Sequence, residues 1–213
     1  MIKISPSILS ADFANIKQEI QKLEKAGADY IHLDVMDGNF VPNITFGPKF
    51  IKDIRPYTKL PFDTHLMIEN PEKYVEQFSE AGSDIINFHY EATSDHLSLI
   101  KKIKSLGKKA GITLSPPTTE FSLEKLIDHL DLILVMTVNP GFSGQTFLDS
   151  QLPKIEKIRK LIDKTGRKID LEADGGINNQ NIQLIKNVGA NVIVSASYIF
   201  KQNNYKTAID SLR

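Results

Sequence analysis

The sequence predicts a single α/β domain over residues 1–213, folded as a (β/α)8 TIM barrel. Three observations carry that expectation. Short β-rich runs alternate with amphipathic helical runs eight times along the chain. Three helix-to-strand junctions share one spelling: Ala26-Gly27-Ala28-Asp29, Ala81-Gly82-Ser83-Asp84 and Val188-Gly189-Ala190-Asn191. In each, Gly suits a left-handed helix cap and a polar residue starts the next strand. Finally, the first strand runs into Ser10-Ala11-Asp12, without the G-x-G-x-x-G of a doubly wound nucleotide-binding sheet.

The elements follow in order. Residues 2–9 read as a strand broken by Pro6. Over 13–26, Phe13, Ile16, Ile20 and Leu23 recur at helical spacing, and Gly27 ends the helix. Residues 30–35 form the next strand, with a short helix at 48–54. The third strand spans 59–68. A helix at 71–81 has Asn70 as N-cap and Pro71 at its first position. Strand 84–88, helix 96–106, strand 109–114 and a short helix around 123–130 continue the rhythm. An apolar strand at 132–138 precedes a long helix at 152–165. Strand 169–173, a helix near 181–188, strand 191–195 and a helix at 205–212 complete it.

Composition narrows the chemistry. Lys+Arg and Asp+Glu both number 26, so no basic excess draws the chain to nucleic acid. Hydrophobic residues at 41% and charged residues at 24% suit a folded domain. Cysteine is absent, which excludes disulfides, thiolate catalysis and Cys-bound metals. The start, MIKISPSILSADF, lacks a secretory pattern, and no apolar run reaches the roughly 18 residues of a membrane span. A cytoplasmic location without a membrane partner is the expectation.

Barrel enzymes carry their chemistry at the C-terminal ends of the strands. Those ends hold Ser7; His32, Asp34, Met36 and Asp37; His65 and Met67; His89; Met136; and Asp174. His32 and Asp34 are two apart and face one way on a strand, leaving Ile31, Leu33 and Val35 to face the helices. His32, Asp34, His65 and Asp174 make an all-N/O donor set suited to Zn2+, Fe2+, Mn2+ or Co2+. A lone strand-end His or Asp is usually structural; four aimed at one mouth are not. His89 reads as support behind that set, and His96 and His129 as surface residues. Met36, Met67 and Met136 form an expected apolar wall beside the polar site. Gly175-Gly176 and Ser195-Ala196-Ser197 follow the last two strands, where barrels bind phosphate through backbone N–H groups. Residues 140–145, with Gly141 and Gly144, read as a mobile lid.

The motifs SPSILSADF, HLDVMDGNFVPN, DTHLM, VMTVNPGFSGQ and EADGGIN together closely resemble the ribulose-phosphate 3-epimerase family, from Ser5 to about Phe200. The resemblance implies a pentose phosphate pathway enzyme that interconverts D-ribulose 5-phosphate and D-xylulose 5-phosphate. It implies one divalent metal, Zn2+ first, on His32, Asp34, His65 and Asp174, with Asp34 and Asp174 as the acid/base pair. Ser7 and His65 would contact the sugar. Gly141, Phe142, Ser143, Gly144, Asp174, Gly175, Gly176, Ala196 and Ser197 would line the substrate and phosphate region. Family members are usually homo-oligomers. Two positions depart from the common pattern. Ser143 stands where many members carry Gly. Ala196 stands where Gly usually precedes Ser, and its methyl matters only if that residue needs a positive φ.

Epimerisation at C3 needs two groups on opposite faces of a planar enediolate, one entering ionised and the other protonated. Rival readings are an epimerase for D-allulose 6-phosphate, a phosphosugar lyase, or a silent phosphosugar-binding protein. The lyase reading fails on the missing Asp-x-Lys-x-x-Asp, and the silent reading on the intact tetrad. The allulose 6-phosphate reading shares every acid/base and metal residue and stays open.

Overall fold

A computed structural model describes residues 2–213. Its eight strands are β1 (Lys3–Pro6), β2 (Ile31–Met36), β3 (Phe62–Met67), β4 (Ile85–His89), β5 (Lys109–Leu114), β6 (Leu132–Met136), β7 (Asp170–Asp174) and β8 (Val192–Ser195). All neighbours are parallel, in the order β1-β8-β7-β6-β5-β4-β3-β2. A parallel bridge between Ser7 and His32 joins the two ends of that order. The result is the expected (β/α)8 barrel.

Helices cover the strands: α1 (Ile16–Lys25), α2 (Pro48–Ile54), α3 (Val75–Ala81), α4 (His96–Ser105), α5 (Leu152–Thr165), α6 (Ile182–Asn187), α7 (Ser197–Phe200) and α8 (Tyr205–Asp210). The predicted helix around 123–130 is instead two 3-10 turns, Glu120–Leu123 and Ile127–His129. Leu123, Leu126, Ile127 and Leu130 are all buried there. Three-residue turns align 123 with 126, and 127 with 130, toward the sheet. The predicted helix starts at 13 and 71 are likewise 3-10 turns before α1 and α3. Asn70 does not cap through its side chain; it sits left-handed at φ 52°. The caps at Gly27, Gly82 and Gly189 are left-handed, as the repeated spelling predicts. The helix α7 was not anticipated, because Ser195-Ala196-Ser197 reads as a turn.

Alternation along the strands separates two interiors. Ile31, Leu33, Val35, Leu66, Ile86, Phe88, Ile112, Ile133, Leu171 and Ile193 face outward into one large apolar layer beneath the helices. Each such burial is worth about 1.5–3 kcal/mol. Stability therefore comes mainly from this outer layer. Inside the barrel a smaller apolar cluster, including Ile85, Leu132, Leu134, Met136 and Val192, fills one side. The other side is polar: His32, Asp63, His65, Asn87, His89 and Glu172 are all fully buried. Among the described residues, no helix is long and apolar enough to cross a membrane.

Candidate active site

Strand register builds the site in steps. Residue by residue, β2 and β3 pair His32 with Asp63, Asp34 with His65, and Met36 with Met67. Across the barrel, β6 and β7 pair Met136 with Asp174. Because alternate residues share a face, each strand sends a stack of side chains inward. Met36 and Met67 follow the charged pairs toward the strand ends, while Met136 lies level with Asp174.

Four of the inward groups meet. His32 Nε2 lies 3.4 Å from Asp34 Oδ1, 3.8 Å from Asp174 Oδ2 and 3.4 Å from His65 Nδ1. His65 Nδ1 lies 3.1 Å from Asp34 Oδ1 and 3.9 Å from Asp174 Oδ2. One ligand-type atom from each of the four lies within 4.8 Å of the others. Two imidazole nitrogens and two carboxylate oxygens converging on one point suit a first-row divalent cation. The sequence-predicted tetrad is thus brought together.

The two carboxyls differ in environment. Burial opposes a charge on Asp34, but the neighbouring His32 and His65 outweigh it and hold that carboxyl well below its usual range. Burial and the Asp34 charge instead push Asp174 up to about 6. Burial also opposes a charge on His32, yet Asp34 and Asp63 drive its imidazole well above its ordinary value. Deeper still, burial and Asp63 push Glu172 far upward. Unlike pKa values on paired carboxyls are what acid/base exchange requires.

Above the tetrad opens a cleft. Ser7, Asp34, Asp174, Met36, Met67 and Met136 line it, as do Gly141, Phe142, Ser143, Gly144, Gly175, Gly176, Ala196 and Ser197. The three methionines that line it are buried, at 2–3% exposure. His32 and His65 have no exposed surface and lie beneath the cleft rather than on its wall. Ser7, expected against the sugar, directs its hydroxyl to Asp34 Oδ2 at 2.5 Å.

Gly175 and Gly176 have φ of +128° and +67°. A Cβ at Gly175 would come within 2.5 Å of Val138, and one at Gly176 within 2.6 Å of the Phe147 backbone N. Only glycine fits at either place. Ala196 has φ −107°, so it does not need the left-handed region that its methyl would disfavour. The loop over the cleft is tied down at two points. Ser143 Oγ and Ser10 Oγ are 2.7 Å apart, and Asn43 Nδ2 donates to the Gly141 carbonyl at 2.8 Å.

Sequence reasoning passed over Asp63 and Glu172. Both stand two residues before a tetrad member, so the period of two could have found them. Asp63 Oδ2 lies 2.8 Å from His32 Nδ1 and holds the ring from behind. Thr45 was also missed, and its signal is tertiary only. Its hydroxyl donates to the Asp34 carbonyl at 2.7 Å and accepts the Met36 N–H at 3.0 Å. Of the two histidines read as surface, His129 is exposed, but His96 is half-buried and stacks on Tyr90 at 4.0 Å.

Comparison with known proteins gives a consistent result. The profile of the Ribulose-phosphate 3 epimerase family matches residues 3–200. Ribulose-phosphate 3-epimerase of Bacillus subtilis (strain 168) is 49% identical, covering 100% of this chain and 99% of that one. Its counterpart in Synechocystis is 50% identical over 100% of this chain and 93% of its own. Among solved structures, KGPDC from Streptococcus mutans superposes with TM-score 0.70 at 13% identity, covering 100% of this chain and 95% of that one. That likeness concerns the fold alone.

Proposed function

The chain belongs to the ribulose-phosphate 3-epimerase family, and from that premise we propose that it interconverts D-ribulose 5-phosphate and D-xylulose 5-phosphate. It is an isomerase acting on carbohydrates. The proposal extends to a metal-dependent, two-base mechanism serving the pentose phosphate pathway. The observation that carries it is the meeting of His32, Asp34, His65 and Asp174 directly below a glycine-lined cleft.

In this reading the phosphate lies against the backbone of Gly175, Gly176, Ala196 and Ser197, where N–H groups and glycine space favour an anion. The lid residues Gly141 to Gly144 close over the sugar, and Met36, Met67 and Met136 keep water from C3. Asp34 and Asp174 then work from opposite faces. The ionised carboxylate takes the C3 proton, the C–H electron pair becomes the C2–C3 π bond, and the C2=O π pair moves onto O2 to give an enediolate. The protonated carboxyl returns a proton to the other face of C3. Their roles exchange when the reaction runs backward. Asp34 is held low and Asp174 raised to about 6, so of the two carboxyls Asp174 takes up a proton the more readily. His32, Asp34, His65 and Asp174 would hold the divalent metal, Zn2+ first among the options. When bound, such an ion supplies Lewis acidity toward the C2 and C3 oxygens, worth several kcal/mol of charge stabilisation.

A stereospecific assay tests the reading. Ribulose 5-phosphate and allulose 6-phosphate are offered to the protein before and after chelation. Conversion of the pentose, loss with chelator and recovery with added Zn2+ are expected. Undiminished turnover after complete chelation would remove the metal from the scheme, and preference for the hexose would replace the substrate. Self-association belongs to the same proposal. Its support is an apolar surface with Ile44 75% exposed and Phe13 packed on Phe46 and Phe50. Sedimentation measures it.

A further inference from the structure

The two ring nitrogens of His65 have different neighbours. Nδ1 faces Asp34, Asp174 and His32. Nε2 lies 2.9 Å from His89 Nε2, an imidazole with no exposed surface. His89 meets His65 edge to edge, with ring centroids 5.0 Å apart and planes 25° from parallel, and is covered by the Phe40 ring at 4.7 Å. Behind it, His89 Nδ1 lies 3.1 Å from Ser115 Oγ and 3.2 Å from Glu91 Oε2. Glu91 is itself fixed. Its Oε1 accepts the Ser115 backbone N–H at 3.1 Å and the Thr118 hydroxyl.

We infer that His89 and Glu91 are positioning residues that set the tautomer of His65, keeping its proton on Nε2 and its Nδ1 lone pair toward the tetrad. The inference rests on the metal reading above. A ring nitrogen that ligates a cation carries no proton, so neutral His65 must be protonated on Nε2. That N–H points at His89 Nε2, which accepts only if His89 carries its own proton on Nδ1. An ionised carboxylate offers no proton, so Glu91 Oε2 is an acceptor for that Nδ1–H. Read inward from Glu91, every donor and acceptor is then specified up to the cation. Second partners of this kind orient metal-binding imidazoles and raise their basicity. The three links come from β3, from β4 with the turn after it, and from the residue after β5, so the barrel wall itself holds the chain in line.

The test reverses the polarity at the outer end. In Glu91→Gln the side-chain carbonyl must stay on the Ser115 backbone N–H, which turns the amide NH2 toward His89 Nδ1, donor against donor. Ser115→Ala removes the other acceptor. Both single variants and the double variant of the full chain are titrated with Zn2+ against a chromophoric chelator. Imidazole 15N spectra are recorded on the Zn2+-loaded proteins, and thermal melting checks the fold. Expected are a wild-type His89 protonated on Nδ1 and a Zn2+ affinity reduced about 10- to 100-fold in the double variant. Each single variant should lose less. Wild-type affinity in a folded double variant, or a wild-type His89 protonated on Nε2, overturns the inference. If the double variant does not fold, the wild-type spectrum alone decides. A wild-type protein that takes up no Zn2+ brings down the metal reading itself, which is a separate result.

Discussion

Ser7 Oγ donates to Asp34 Oδ2 across 2.5 Å, joining the end of β1 to the middle of the inward face of β2. Short O–H···O⁻ contacts of this kind are charge-assisted. The same hydroxyl accepts the Leu9 N–H at 3.2 Å, so it cannot swing away freely. Ser7 thus holds Oδ2 and leaves Oδ1 of Asp34 facing His32 and His65.

Removing that hydroxyl should therefore impair chemistry more than folding. A hydrogen bond to a charged group is worth about 1.5–3 kcal/mol. Ser7→Ala is expected to lower kcat/KM by about 10- to 100-fold with an unchanged circular dichroism spectrum. Steady-state kinetics on ribulose 5-phosphate give the answer. Wild-type turnover would show that Asp34 is held by something else.

Asp34→Asn and Asp174→Asn should each cut turnover by orders of magnitude while the barrel stays folded. In D2O, a variant keeping one working base should still exchange the C3 hydrogen of one epimer without inverting it. Mass spectrometry of recovered substrate reads that exchange. Near-normal epimerisation by either variant would end the two-base scheme.

The serine pair over the cleft is a smaller effect. Ser10 and Ser143 are both at the surface, so their 2.7 Å contact adds at most about 0.5–1.5 kcal/mol to the closed loop. Ser143→Gly should raise KM by about two- to tenfold with kcat unchanged. A fall in kcat instead would place Ser143 in the chemistry itself.

Asp37 is one of the carboxylates outside the tetrad that contribute to acid stability. Burial opposes the charge on Asp37, but the backbone N–H groups of Glu69, Asn39 and Phe40 together outweigh it and hold the carboxyl below the usual value of 3.8. A depressed carboxyl stabilises the fold above its unfolded value and loses that contribution as pH falls through its folded value. Urea midpoints of wild type and Asp37→Asn should thus differ at pH 6 and converge below pH 3.8. A gap that stays constant with pH would mean the charge is irrelevant there.

Much of the barrel was legible because its signals are local. Apolar spacing gave the helices, and β5, α2 and α5 fall on their predicted bounds. The segment after β5 was misread because its buried leucines fit both a helix and a pair of 3-10 turns, and only docking on the sheet separates them. Along a strand the period of two put His32 and Asp34 on one face. It applied equally to Asp63 and Glu172, whose burial beside the tetrad became visible only with the barrel closed.

The sequence by itself determined which side chains could look into the barrel, since alternation along a strand is a property of the backbone. It could not determine how far one strand slides past the next. That register is set by packing of the whole outer apolar layer, and shifting it by one residue would turn every inward group outward. The tertiary structure alone set Asp34 beside His65 and brought Asp174 to them from β7. It also set Glu91 and Ser115 against His89, because such contacts, unlike periodicity, depend on residues brought together by the closed barrel.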